Sequence, residues 1–477
     1  MIYGQYLILL LQIWRMLKNF AFFILLFLSY SATYASTQSA QIDSLTQLIG
    51  KQNGRERIET LIRLSEIYRK ISVEKSMEAD SSAEAYAKQQ GLDNMKGIIL
   101  LSMGKTSSIS GDYEMALDYM ERAEKALKST KNYTELARTY INMGLVYKYL
   151  ADYEASISYF DQALELAFEH ELKDQEAAAA ANRATVYFAT GDYQQALESY
   201  QKAMSVYEET KDSLRYAKML MNIGLVYWQW DKNDLALEMQ LKAKEVFEQK
   251  KDLVELGRAY NNIGKIYYQH LNDTTLALEY YQKSLEMREK LGNQLGMAIV
   301  LANIGNIYRD KNQMEKAFEN YTKSINISQF IGYREGVALT SYYMGMAYQK
   351  NGQYLESNRM LDTTRNVSKS LGLTSYEILI NEAKINNYKA LGDYESLFRE
   401  FEFYDQKHAE MRTELTTLKY KLNANQEQIE AINDELEKKN QLINDQASLL
   451  LMYRLLLLLA LLGLIVIGIR HFRKSKS

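Results

Sequence analysis

Asparagine recurs at one fixed place in a series of similar segments of this chain. The five residues are Asn142, Asn182, Asn222, Asn262 and Asn303. Within a helix, asparagine costs on the order of 0.6 kcal/mol relative to alanine, so its repeated presence does not favour helix formation. Its side-chain amide carries a hydrogen-bond donor and an acceptor, which are the two groups that a peptide bond requires. These residues could therefore bind the backbone of another polypeptide through hydrogen bonds.

The neighbouring residues predict the direction in which each asparagine points. Asn142 lies two residues before Gly144, roughly 200° around a helix, so the two residues occupy opposite faces. Gly144 and Tyr147 are three residues apart and share a face, which predicts that this face packs against another helix and that the ring fills the adjoining space. Two alternatives to binding stay open: the asparagines were copied with the repeat, or they bond a neighbouring helix.

Several cations belong to the same predicted face as the asparagines. They are Arg138, Lys218, Arg258 and Lys265. Packing does not require these charges, and they would suit an acidic segment or a C-terminal carboxylate as ligand. A solvated helix face accounts for isolated cations about as often.

The residue types that support catalysis are missing or unsuitably spaced. The chain has no cysteine, and its four histidines lie far apart. The Gly-Lys-Thr sequence at 104–106 matches the end of a phosphate-binding loop, but Ile99 stands where that loop requires glycine. A formal net charge of -3 provides no broad basic field for nucleic acid. The sequence predicts no enzyme, no cofactor, no metal site and no nucleic-acid partner.

The asparagines are part of a longer pattern with a period close to forty residues. The segment GDYEMALDYMERA at 111–123 returns in altered form at 151, 191, 231, 272, 312 and 352, and a string such as INMGLVY precedes each return. A fixed period of this length is typical of a solenoid, in which each helical hairpin buries its apolar side only by stacking on the next. We therefore expect an all-α protein with one long concave surface.

The recurring small and aromatic residues resemble the tetratricopeptide repeat family. The likeness covers about residues 55–405, with seven clear copies and a degenerate copy at each end, or eight to nine repeats in total. It implies a right-handed superhelix of helical hairpins. The period of forty and the absence of proline are similar to the long-repeat branch seen in kinesin light chains. The resemblance further implies that the five asparagines form a ladder in the inner groove and hold the backbone of an extended peptide.

Both ends of the chain are apolar and predict a single-pass membrane protein. Residues 1–35, with Met16 as the expected start, have the pattern of a signal peptide, although a signal anchor is an alternative. A linker or cap follows at 36–54. Residues 448–469 are long and apolar enough for a transmembrane helix, and the basic tail at 470–477 assigns the C-terminus to the cytoplasm. The bulk of the chain is then extracytoplasmic, in a bacterial periplasm.

Between the repeats and the predicted membrane helix, the period changes to seven. Apolar residues at 415, 422, 429, 436, 443 and 450 predict a coiled coil over 406–447. A parallel homodimer is the favoured use, and a helix folded back as a cap on the solenoid is the alternative. Repeats, coiled coil and membrane helix together resemble the sensory half of bacterial envelope receptors without their output domain. The sequence thus supports two hypotheses: a membrane-anchored scaffold that binds a peptide or protein, or a sensory ectodomain that signals to a separate output protein.

Overall fold

The computed structural model describes residues 40–373 and 375–403. The contacts divide the chain into two compact units, with the boundary between Ala347 and Tyr348. Every regular element in the described part is helical, and no strand occurs there, which confirms the predicted all-α repeat fold. The predicted signal peptide, coiled coil, transmembrane helix and basic tail all lie outside the described residues. Within the described part, no helix combines the length and apolar character needed to cross a membrane.

Nineteen α-helices follow one another in the described part of the chain. Helix α1 covers residues 40–49, and α19 starts at residue 394 and is described to residue 403. The helices between them are α2 (Gly54–Tyr68), α3 (Val73–Gln90), α4 (Lys96–Ser110), α5 (Tyr113–Ser129), α6 (Tyr133–Tyr149), α7 (Tyr153–Glu169), α8 (Lys173–Thr190), α9 (Tyr193–Glu209), α10 (Ser213–Gln229), α11 (Asn233–Lys250), α12 (Leu253–Gln269), α13 (Thr274–Lys290), α14 (Gln294–Asp310), α15 (Met314–Phe330), α16 (Arg334–Lys350), α17 (Tyr354–Ser370) and α18 (Ser375–Leu391). A short 3₁₀ turn, Asp93–Met95, precedes α4.

The length of the repeat follows from the helices and from the way each one ends. Helices α6 and α7 have 17 residues each, and three residues join them. In that connection Ala151 adopts a left-handed conformation with φ 59°, and the Asp152 side chain accepts a hydrogen bond from the backbone N–H of Ala155 at 3.1 Å. A left-handed residue ends the first helix and a capping side chain starts the second. Longer helices thus explain a period of forty.

In most first helices a glycine lies against the partner helix with no space for a side chain. A Cβ added to Gly144 would lie 2.8 Å from the Phe160 ring of α7, and one added to Gly305 would lie 2.5 Å from Tyr321 of α15. The ring against the glycine comes from the second helix, and the ring of Tyr147 contacts the neighbouring residue of that helix. Tyr147 stacks on Tyr159 at a centroid distance of 5.3 Å, because the second helix supplies the fully buried ring.

The even-numbered helices of the first unit form the inner layer of the solenoid. Helices α2, α4, α6 and α8 contact one another in succession, and so do α10, α12 and α14. No two odd-numbered helices approach each other to the same extent in the described residues. The even-numbered layer is therefore the more tightly spaced one, as expected on the concave side of a curved stack.

Candidate functional site

A cleft of about 750 Å³ opens on the surface of α2, α4 and α6. Arg138 and Asn142 line it, and the equivalent residues of the two preceding helices lie beside them. In α4 the residue two places before Gly104 is Ser102, and in α2 the residue two places before Ser65 is Arg63. We call the surface formed by these positions along α2 to α14 the inner face. The predicted asparagine face and the cleft are therefore the same surface at this end of the first unit.

The first two asparagines use their amide nitrogens within their own helices. Asn142 Nδ2 donates to the Arg138 carbonyl oxygen at 2.7 Å, and Asn182 Nδ2 donates to the Ala178 carbonyl oxygen at 2.9 Å. Both side chains are half-buried. Within the described residues, neither Oδ1 atom accepts a hydrogen bond. Each amide therefore presents its oxygen, an acceptor, towards any ligand on this surface.

The next asparagines bond neighbouring helices. Asn262 Nδ2 donates to Gln240 Oε1 at 3.4 Å, and Asn303 Nδ2 donates to Asn261 Oδ1 at 3.1 Å. Asn222 makes no hydrogen bond within the described part of the chain. The structural alternative raised from the sequence is therefore real for Asn262 and Asn303, yet their Oδ1 atoms also remain without a described donor.

Three of the four predicted cations are paired with carboxylates. Arg138 contacts Glu135 at 2.6 Å. Lys218 and Arg258 share one carboxylate, that of Glu255, at 3.1 and 2.9 Å. Glu255 is only 6% exposed, so the carboxylate is held in place between α10 and α12. The sequence did not reveal the pair of Lys218 and Glu255, because the partner of Lys218 comes from the next even-numbered helix.

Lys265 has a different environment. Its Nζ lies 3.9 Å from the centroid of the Trp228 ring, and no carboxylate pairs with it in the described residues. Burial lowers the pKa of Lys265 from its ordinary value, because an apolar environment disfavours the charged form. The ring face offsets part of that cost through a cation–π contact. One further lysine, Lys148, donates to Thr185 Oγ1 at 2.8 Å, and burial lowers its pKa as well.

Arg63 is the inner-face residue that the sequence analysis missed. It occupies the position of the asparagines in α2, and it is exposed in the cleft. Within the described residues it makes no hydrogen bond or ion pair. The recurring asparagine did not identify it, because arginine itself occupies this position, and Ser65 stands in place of the usual glycine. Aligning the LSEIY segment with INMGLVY by its terminal tyrosine would have identified the position.

The Gly-Lys-Thr segment at 104–106 has a structural role in the solenoid. Lys105 pairs with Glu66 at 3.1 Å, and the Thr106 hydroxyl donates to Asp80 Oδ2 at 2.9 Å. Asp80 is fully buried, and burial raises the pKa of its carboxyl group. Among residues 40–373 and 375–403, no group of three or more histidine or acidic side chains could hold a metal ion.

Comparison with known families identifies the repeat. The tetratricopeptide repeat model matches residues 96–167, 175–249 and 255–329, so these segments are tetratricopeptide repeats. Comparison with curated protein sequences gives no match.

Solved structures of similar fold are known. One is a signal transduction ATPase with numerous domains from Pyrococcus horikoshii, which carries a tetratricopeptide repeat sensor; the two are 15% identical with a TM-score of 0.52, over 73% of this chain and 54% of that one. Another is the apo form of the quorum sensor NprR from B. thuringiensis, 15% identical with a TM-score of 0.51, over 70% of this chain and 94% of that one. Such identities show the shared fold alone.

Proposed function

We propose that this chain is a non-enzymatic scaffold that binds an extended peptide, or an extended segment of a partner protein, along the inner face. The row of asparagine Oδ1 atoms carries the proposal. Four of the asparagines use one N–H of Nδ2 within the protein and leave Oδ1 without a donor in the described residues: Asn142, Asn182, Asn262 and Asn303. A backbone N–H is the donor that every non-proline residue of an extended chain provides.

The spacing of the layer suits an extended ligand. Packed helices lie roughly 8–10 Å apart, and an extended chain advances about 3.3 Å per residue. About three ligand residues therefore separate one asparagine from the next. A polyproline II conformation has three residues per turn and rises about 3.1 Å per residue, so it keeps every third backbone N–H on one side of the ligand. We expect these N–H groups to meet the Oδ1 atoms. A sequence-tolerant backbone contact would allow side chains elsewhere on the face to determine specificity.

The location of the scaffold is part of the same proposal. The predicted signal peptide at 1–35 and transmembrane helix at 448–469 would place the repeats on the extracytoplasmic side of a membrane. The predicted coiled coil at 406–447 would join two copies in parallel. Two inner faces in one dimer would raise the effective concentration for a repeated or dimeric ligand.

The test is selection of peptides from a random dodecapeptide library displayed on phage, with the purified full chain as bait. A selected peptide should bind Asn142→Ala and Asn182→Ala about fivefold more weakly per variant, since a net hydrogen bond contributes about 1 kcal/mol. The matched control is Asn320→Ala on α15, whose Nδ2 makes the same bond to a carbonyl four residues earlier, at 2.8 Å. Equal affinity of all three variants and the wild type would refute the asparagine row.

A second function, a sensory ectodomain, is favoured by the polar contacts of the second unit. Glu400 of α19 accepts a hydrogen bond from Arg365 and lies 3.3 Å from Lys384 Nζ. These side chains attach α19, which leads towards the predicted coiled coil, to the last repeat. A transducer should change hydrogen exchange in α19 when the selected peptide binds, whereas a scaffold should not.

A further inference from the structure

The cleft between α2, α4 and α6 holds one positive charge without a counterpart. Its lining includes four cationic side chains and three carboxylates. Arg55 pairs with Glu59 at 2.7 Å, and the other two carboxylates pair with Lys105 and Arg138. Arg63 alone among these cations has no partner in the described residues. An exposed guanidinium on a concave wall is a ready site for a carboxylate, which it can bind through two parallel hydrogen bonds.

The same imbalance recurs farther along the inner face. Between α10 and α12, one carboxylate, Glu255, serves two cations, Lys218 and Arg258. In α12 the ammonium group of Lys265 lies on the Trp228 ring without a carboxylate. Each place retains one net positive charge, although the whole chain carries a formal charge of -3. These three places on the face proposed to bind the ligand therefore each carry an excess of positive charge.

We infer that the inner face selects an acidic segment of a partner protein, whose aspartate or glutamate side chains contact Arg63, the Lys218–Arg258 pair and Lys265. This inference rests on the proposed function and specifies the chemistry of its ligand. A basic segment would place like charges opposite these cations, and a neutral one would leave them uncompensated. The asparagine oxygens bind the backbone of the ligand whatever its sequence, and the cations determine which ligand sequences bind best.

The experiment compares peptides selected by two forms of the full chain from the same phage library, in which the coat protein blocks the peptide C-terminus. Wild type should enrich aspartate and glutamate over their frequency in the library. The variant Arg63→Gln with Lys218→Gln and Lys265→Gln removes the excess charge but keeps the Arg258–Glu255 pair. Its selected pool should lose that enrichment. An acidic peptide, synthesised with an amidated C-terminus, should bind the variant about tenfold more weakly.

A matched control carries the same loss of charge on odd-numbered helices. Arg122→Gln, Lys242→Gln and Lys290→Gln each remove one member of an exposed pair four residues apart. This control should select and bind acidic peptides as wild type does. Circular dichroism melts of both variants should overlay that of wild type. If the inner-face variant melts at a lower temperature, the single substitution Arg63→Gln replaces it. The single variant should also lose acidic enrichment, but to a smaller extent.

The outcomes separate the two proposals. Enrichment of acidic residues that only the inner-face variant loses supports the inference. Selected peptides without acidic enrichment, or enrichment that both variants lose equally, overturn the inference and leave the peptide scaffold intact. Binding that requires a free C-terminal carboxylate in synthetic peptides also overturns the assignment to side chains. Recovery of no peptide by wild type overturns the proposed function and this inference with it.

Discussion

Replacing Asn262 by alanine should destabilise the solenoid, whereas the same change at Asn182 should not. Asn182 bonds only its own helix, so Asn182→Ala removes a poor helix former and should gain up to about 0.6 kcal/mol. Asn262 donates to Gln240 Oε1, and the Gln240 side chain is fully buried. An orphaned buried acceptor costs about 1–3 kcal/mol. The lower end of this range applies because the hydrogen bond from Asn262 to Gln240 is long, at 3.4 Å. Alanine regains about 0.6 kcal/mol of helix propensity, so we expect the free energy of unfolding to fall by about 1 kcal/mol or less.

Hydrogen exchange measured by mass spectrometry is the appropriate assay, because stability in a repeat protein is distributed among neighbouring repeats. Asn262→Ala should accelerate exchange in α11 and α12 and leave α6 and α7 unchanged. The double variant Asn262→Ala with Gln240→Met should restore protection, because Met120 fills the equivalent place beside Gly104. Equal exchange rates in α11 and α12 of the Asn262→Ala and Asn182→Ala variants would show that the contact between Asn262 and Gln240 does not stabilise the fold, and would refute this prediction.

Three other predictions concern the turns, the association and the topology. Ala151→Gly should stabilise the protein by roughly 0.5–1 kcal/mol, because Ala151 has φ 59° at a helix end, and a thermal melt that falls instead would contradict this. Leu422→Asp with Ile429→Asp should lower the mass of the full chain in light scattering from dimer to monomer, since charges cannot be solvated within the seam of a coiled coil, and an unchanged mass would exclude the predicted seam. A reporter active only in the cytoplasm should work when fused after Ser477 and fail near residue 210; the opposite pattern would reverse the predicted orientation.

The fold was predictable because one local pattern is repeated many times. Gly144 and its counterparts identify the packing face of each first helix, and Asp152 and its counterparts identify where the second helix starts. Both signals are local in sequence and recur at the same spacing. The direction of Asn142 followed from the same helical geometry, and the cleft places it on the open surface of α6.

The pairing of Asn262 and of Lys218 was not predictable, since each has a partner from a different helix. Whether Asn262 bonds its own helix or another depends on Gln240, which replaces the apolar side chain found at this place in other repeats. The charge at Lys218 depends on Glu255, a residue thirty-seven positions away. Arg63 was missed because its repeat has arginine where the others have asparagine, and serine in place of the usual glycine. Residues that depart from the repeat therefore give each part of the inner face its own hydrogen bonds and charges.

Photo-crosslinking of a selected peptide tests the central claim, that the ligand lies along the inner face. The peptide carries a photoreactive residue, and the sites of attachment on the full chain are mapped by mass spectrometry. We expect attachment to the even-numbered helices α2 to α14, at residues next to Arg63 and the asparagines, and loss of attachment when unlabelled peptide competes. Competed attachment to the odd-numbered helices α5 to α15 would contradict the account.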